Sequence, residues 1–325
     1  MRKALITGGA GFLGSFLSER LLQDGFEVAA IDTSEGDKIQ HLLGKPDFRF
    51  IRASVEDAEL LAKEIKNSEL VFHLAAIADP KKYVDDPLRV LDIDLLASIE
   101  IFRLAAEAGA KVIFSSTSEI YGRNPRVPWK EDDERVLGST RINRWCYSTA
   151  KAACEHYLQA WKVKKNLRFV VYRFFNVYGP RLDDLGHGRV MPVFLKEFLN
   201  HEPVTVHGDG KQTRTFVYVD DAIEAMARLA LDPKCEGEVF NIGSAKETSM
   251  LELAETMKRT GHFSSKIIFQ PHEAVYGKSF EDIPRRVPDV SKVKKFVNWE
   301  ATTSLDAGLV KTIAYYRSRK IEQMV

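Results

Sequence analysis

The sequence predicts an α/β chain: a doubly wound parallel sheet with a smaller C-terminal lobe. Three observations carry this. Short apolar runs alternate with helical patterns through the first half of the 325 residues. The first of these runs ends in a glycine-rich turn. Beyond Asn176 the alternation gives way to short elements punctuated by Gly179-Pro180, Gly186-His187-Gly188, Gly208-Asp209-Gly210, Pro284 and Pro288.

Strands are expected at 3–7, 27–31, 48–51, 70–74, 111–115 and 168–173, and helices at 12–24, 57–66, 88–108 and 145–164. Such alternation makes βαβ units whose sheet is covered on both faces. The first strand, Lys3-Ala4-Leu5-Ile6-Thr7, runs into Gly8-Gly9-Ala10-Gly11-Phe12-Leu13-Gly14. Missing Cβ atoms allow the tight turn, the approach of backbone to a pyrophosphate, and close packing of helix on strand. The helix that follows aims its free N–H groups and positive dipole end at phosphate. Apolar Phe12, Leu13, Phe16, Leu17 and Leu21 give it one buried face. The second strand ends in Asp32, eighteen positions after Gly14. A carboxylate there accepts from a ribose 2′-OH and repels a 2′-phosphate, which favours NAD over NADP. This is a Rossmann-type dinucleotide site, expected in residues 1–175 with a returning segment near 216–244. Residues 176–325 form mainly the substrate lobe.

Composition sets limits on other functions. Hydrophobic residues make up 45% and charged residues 29%, as in an ordinary globular chain. A net charge of +1 gives no field for nucleic acid or membrane. Arg317, Arg319 and Lys320 read as a solvated helix end. Cys146, Cys154 and Cys235 have neither disulfide nor zinc spacing, so no metal is expected. With no signal-like segment and no apolar run of membrane length, the expected compartment is the cytoplasm.

A second constellation lies far along the chain, at Tyr147-Ser148-Thr149-Ala150-Lys151. Residues four apart share a helix face. An ammonium near a phenol lowers its pKa, and the phenolate can take a hydroxyl proton while hydride leaves the same carbon. Alone, this spacing is common on exposed helices. It gains weight from Phe114-Ser115-Ser116-Thr117, which closes an expected parallel strand, where ligands of open α/β sheets bind.

These motifs, with Phe72-His73-Leu74-Ala75-Ala76, Ser118-Glu119-Ile120-Tyr121-Gly122, Arg173-Phe174-Phe175-Asn176-Val177-Tyr178-Gly179-Pro180, Gly208-to-Arg214 and Pro284-to-Asp289, give the chain its resemblance to one family. It resembles the extended short-chain dehydrogenase/reductases, in their nucleotide-sugar branch of epimerases, dehydratases and decarboxylases. The resemblance implies bound NAD, a UDP-sugar substrate and transient oxidation at sugar C4. It implies catalytic roles for Thr117, Glu119, Tyr147 and Lys151. Cofactor contacts are implied at Gly8, Gly11, Phe12, Leu13, Gly14, Asp32, Leu74, Ala75, Ala76, Ser115 and Phe174, besides Tyr147 and Lys151. Substrate contacts are implied at Ser118, Asn176, Arg181, Arg189, Val190, Arg214, Arg285 and Arg286. Arginine forks suit phosphate oxygens.

The 4-keto sugar has three fates: re-reduction from the other face, loss of water or, for a uronate, loss of CO₂. Thr117-Ser118-Glu119 resembles the Thr-Ser-Glu of UDP-glucuronate decarboxylases, as do Trp145 and the run from Tyr276-Gly277-Lys278 to Arg286. Dehydratases carry Asp where Ser118 stands. The leading expectation is a UDP-glucuronate decarboxylase, followed by a UDP-sugar 4-epimerase, a dehydratase, and last a non-catalytic NAD sensor. On an extended strand end Thr117 and Glu119 would face the same side. Ser54 stands where relatives often have Asp, and Asp94 where many have Asn. Cys146 and His73 read as packing and strand-end residues. Relatives pair the helices near 88–108 and 145–164 into a homodimer. Ile99, Ile101, Phe102, Cys154, Tyr157 and Trp161 supply apolar surface there.

Overall fold

A computed structural model of the chain describes residues 2–182, 189–271 and 283–322. In chain order the first half contains β1 (Lys3–Thr7), α1 (Phe12–Gln23), β2 (Glu27–Asp32), β3 (Phe48–Arg52), α2 (Ala58–Lys66) and β4 (Leu70–His73). It continues with α3 (Pro80–Asp85), α4 (Pro87–Leu91), α5 (Ser98–Ala108), β5 (Lys111–Thr117), α6 (Cys146–Lys165) and β6 (Phe169–Phe174). The strands form a seven-stranded sheet in which β1 lies between β2 and β4, all parallel. The seventh strand, Glu238–Ile242, had not stood out in the sequence as a separate run. It joins the edge beside β6, in parallel. This is the Rossmann-type α/β fold.

Because side chains alternate along a strand, the sheet feeds two cores. Ala4 and Ile6 of β1 pack with Leu17 and Leu21 of α1 and with Ala222, Met226 and Leu229 of the helix Val219–Leu231. Leu5 points the other way, into a core with Leu61, Ile65, Ile101, Phe102 and Leu158 from α2, α5 and α6. After β3 the chain crosses back to pair β4 with β1. That reversal opens a crevice at the strands' C-terminal ends, the usual ligand position in such sheets.

The expected helix over 88–108 is present as one unbroken helical run from Pro87 to Ala108, with a π turn inside it. Asp79 and Asp86 each cap a short helix that begins with proline, at Pro80 and Pro87. A π-helical turn, Asp92–Ala97, then leads into α5. The rest of the chain carries small two- and three-stranded sheets, such as Thr213–Thr215 with Glu247–Ser249 and Arg285–Arg286. It also carries helices Val190–Leu199, Met250–Thr260 and Leu305–Glu322.

Candidate active site

The C-terminal strand ends border a cavity of about 890 Å³. One end is built by the glycine loop. Gly8 has φ +70, and a Cβ there would meet the Ala75 backbone N at 2.8 Å. A Cβ on Gly14 would lie 2.1 Å from the Gly8 carbonyl oxygen. Gly11 caps α1 without a side chain, which leaves its first-turn N–H groups facing outward. The Asp32 carboxylate accepts from the Ala10 N–H at 3.1 Å and the Ser34 N–H at 3.0 Å. Gly8, Gly11, Phe12, Leu13, Gly14 and Asp32 all line the cavity. So do Leu74, Ala75 and Ala76 after β4, with Ser115 and Phe174 from β5 and β6. A narrow backbone cradle at a helix start, with a fixed carboxylate nearby, fits NAD.

The middle of the cavity holds Thr117 and Tyr147. The Thr117 hydroxyl is within hydrogen-bonding reach of the Tyr147 phenol. Tyr147 is 6% exposed, and its ring stacks on Tyr83 of α3, centroids 4.6 Å apart. Burial, with Asp94 and Glu119 nearby, holds this phenol well above its usual pKa, against Arg189 and the Thr117 hydroxyl. Lys151 lies one turn along α6, fully buried, behind the cavity lining. Its ammonium faces Asp94 at 3.2 Å. His73 bridges Thr7 at 2.7 Å and Ser98 at 2.8 Å. Burial, with Lys151 nearby, holds its pKa down to about 3, so it is neutral.

The far wall is rich in arginine. β5 stops at Thr117, whose hydroxyl accepts from the Glu119 N–H at 3.2 Å, and Ser118–Tyr121 form a 3-10 turn. Glu119 is therefore not on an extended strand, yet Ser118 and Glu119 both line the cavity. The Glu119 carboxylate lies 3.2 Å from Arg286 and 3.4 Å from Arg144. Burial works to raise its pKa, but Arg286, Arg144 and Arg214 outweigh it and hold the group below the usual carboxylate range. Asn176, Arg189, Val190 and Arg214 complete this wall.

Two expected substrate residues stand elsewhere. Arg181 adopts φ +64 and pairs with Glu19 at 2.6 Å, lying over Phe16 of α1 and away from the cavity lining. Arg285 alternates with Arg286 on a two-residue strand, so it turns outward and pairs with Glu247. Tyr276, Gly277 and Lys278, like Gly186, His187 and Gly188, lie outside the described residues.

Comparison with known proteins places this geometry. The NAD dependent epimerase/dehydratase family matches residues 4–243. The chain belongs to that family. A UDP-N-acetyl-alpha-D-glucosaminuronate decarboxylase of Bacillus cytotoxicus is 38% identical over 317 residues, covering 97% of this chain and 98% of that protein. UDP-glucuronic acid decarboxylase 1 of Arabidopsis thaliana is 35% identical, over 99% of this chain and 71% of that protein. Among solved structures, the UDP-glucose 4-epimerase of Thermotoga maritima with UDP-glucose superposes with a TM-score of 0.88 at 32% identity, over 98% and 99% of the two chains. As a family member the protein is an NAD-dependent enzyme. Among the described residues no group of His, Cys, Asp and Glu could hold a metal ion, and no helix is long and apolar enough to cross a membrane.

Sequence reasoning passed over Arg144 and Tyr83. Arg144, three positions before Tyr147 in a polar stretch, looks like a loop cation, but it is 3% exposed and stacks on Trp145 at 4.6 Å. Its one signal was its place just before α6, the helix that carries Tyr147 and Lys151. Tyr83 had none, because only the fold brings α3 against α6.

Proposed function

We propose that this enzyme decarboxylates a UDP-linked uronic acid after oxidation at sugar C4. Bound NAD, held by the glycine loop and Asp32, supplies the acceptor and later the donor of the C4 hydride. Tyr147, once ionised, takes the O4 proton, while the Thr117 hydroxyl holds O4. A 4-keto uronate is a β-keto acid. As its C5–C6 bond breaks, CO₂ leaves and the electron pair moves onto the C4 oxygen as an enolate. Thr117 and the Tyr147 phenol donate to that oxygen. C5 then takes a proton from solvent, and Tyr147 returns its proton to O4 as the ketone is reduced.

One observation carries the reading: a buried Glu119 between Arg286 and Arg144, with Arg214 close by, on the wall next to Thr117 and Tyr147. More cationic than anionic charge there suits a substrate carboxylate. Ser118 stands where dehydratases carry an acid, which counts against dehydration. The two decarboxylase relatives support the same choice. A 4-epimerase is the second reading, favoured by the fit to the Thermotoga enzyme. The test is incubation of the purified enzyme with UDP-glucuronate, its 2-acetamido analogue and UDP-glucose, followed by product mass. Loss of CO₂ from either uronate supports the proposal. A new isomer of unchanged mass replaces it with epimerisation, and loss of water replaces it with dehydration.

A further inference from the structure

The buried pair formed by Asp94 and Lys151 has no part in the steps above. Asp94 sits in the π-helical turn Asp92–Ala97 and is wholly buried. One carboxylate oxygen accepts from the Ile77 N–H at 3.0 Å. The other lies 3.2 Å from the Lys151 ammonium, whose side chain is 1% exposed. Neither that oxygen nor the ammonium nitrogen makes a hydrogen bond to another described group. The ammonium lies 4.8 Å from the Phe114 ring centroid and 5.8 Å from that of Tyr147. The Ser98 hydroxyl and the Cys154 thiol both point at the Asp94 backbone carbonyl, so the turn is tied down from α5 and α6. An extra residue in a helical turn often serves to aim a side chain at a functional site.

We propose that Asp94 is a positioning residue that holds Lys151 and, by offsetting its charge, sets the pH at which Tyr147 becomes a base. A lone ammonium on this helix would favour phenolate; a carboxylate at ion-pair distance cancels much of its field at the phenol. The other groups facing Tyr147 are Thr117 at the end of β5, Glu119 from the 3-10 turn after it, Arg189 before the helix Val190–Leu199, and Tyr83 from α3. Asp94 stands ahead of Glu119 among the charges that keep the phenol protonated. Burial raises the carboxyl of Asp94 itself, and Lys151 opposes the rise.

Asp94→Asn tests this, because it removes the charge, keeps the shape and leaves an oxygen for the Ile77 N–H. The readout is the ultraviolet difference titration of Tyr147, taken against the same protein carrying Tyr147→Phe, with and without NAD. The expected result is a titration lower by one pH unit or more. The acid limb of kcat/KM should move the same way on whichever sugar is turned over. An unchanged or upward titration overturns the proposal, as does an even loss of activity at every pH with no shift. Should Asp94→Asn fail to fold, the wild-type protein decides: with the pair in place its Tyr147 must titrate above neutral pH with NAD bound. A wild-type titration at or below neutral overturns the proposal. The titration needs no substrate, so its outcome is independent of whether the enzyme decarboxylates.

Discussion

Replacing Tyr147 by phenylalanine removes one oxygen and keeps the ring that stacks on Tyr83. Folding should therefore survive while turnover falls by about 10²–10⁴-fold, checked by kcat alongside a thermal melt. Lys151→Met acts in two ways. It withdraws the cation, so the phenol needs a higher pH to ionise, and the acid limb of the rate profile should move upward. It also strands Asp94 in a fully buried site, at a cost of about 3–5 kcal/mol in stability, read from denaturant unfolding. Glu119→Gln leaves Thr117 and Tyr147 in place but loosens Arg286 and Arg144. With a UDP-uronate, NADH should still appear while CO₂ release slows, measured by absorbance and by carbonate trapping. CO₂ release at the wild-type rate would remove Glu119 from the decarboxylation. The residues of this set that the sequence revealed were those packed into short motifs. Arg144 escaped because its importance comes from what it touches across the cavity.

The glycine loop puts the argument at the scale of an element. A Cβ at Gly14 meets fixed backbone at 2.1 Å, whereas one at Gly11 meets the Gly8 carbonyl oxygen at 3.1 Å. Gly14→Ala must then shift the loop against α1, at a cost of about 1–3 kcal/mol, and weaken NAD binding. Gly11→Ala should do less of both. Thermal melts and calorimetric NAD titration rank the two. In the same unit Asp32→Ala should narrow the preference for NAD over NADP, and tighter NADP binding by the wild type would reverse the ribose assignment. This part of the fold was legible because strand, turn, helix and acid are contiguous. The helix expected over 88–108 was legible in its bounds, whereas the short helix before it and the π turn inside it were not. Asp79-Pro80 and Asp86-Pro87 are helix starts that look like breaks, and a π turn leaves no mark in apolar spacing. Arg181 and Arg285 stand off the cavity lining for a similar reason. A family motif gives the residue type, but strand alternation and a left-handed backbone at Arg181 decide which way each guanidinium points.

Across the whole molecule, the face made by α5 and α6 calls for a partner. Half of its expected apolar residues turn inward: Ile101, Phe102 and Cys154 are buried in the core beneath the sheet. Those that remain at the surface include Ile99 and Trp161, partly exposed, and Tyr157 at 42%. Leu96, at 59% exposure in the turn before α5, adds to them. A patch of this kind on two neighbouring helices can meet its own copy about a two-fold axis, since an isologous contact needs one self-complementary surface. The face lies beside the machinery. α6 carries Tyr147 and Lys151, and the turn before α5 carries Asp94. Pairing there would stiffen the elements that hold the base and its lysine. A homodimer is the expected state in sedimentation velocity at micromolar concentration. Ile99→Glu with Tyr157→Glu places four charges in the paired interface and should yield monomers with a lowered melting temperature. A wild-type monomer under those conditions, or a double variant that still sediments as a dimer, would show that the subunits do not associate through this face.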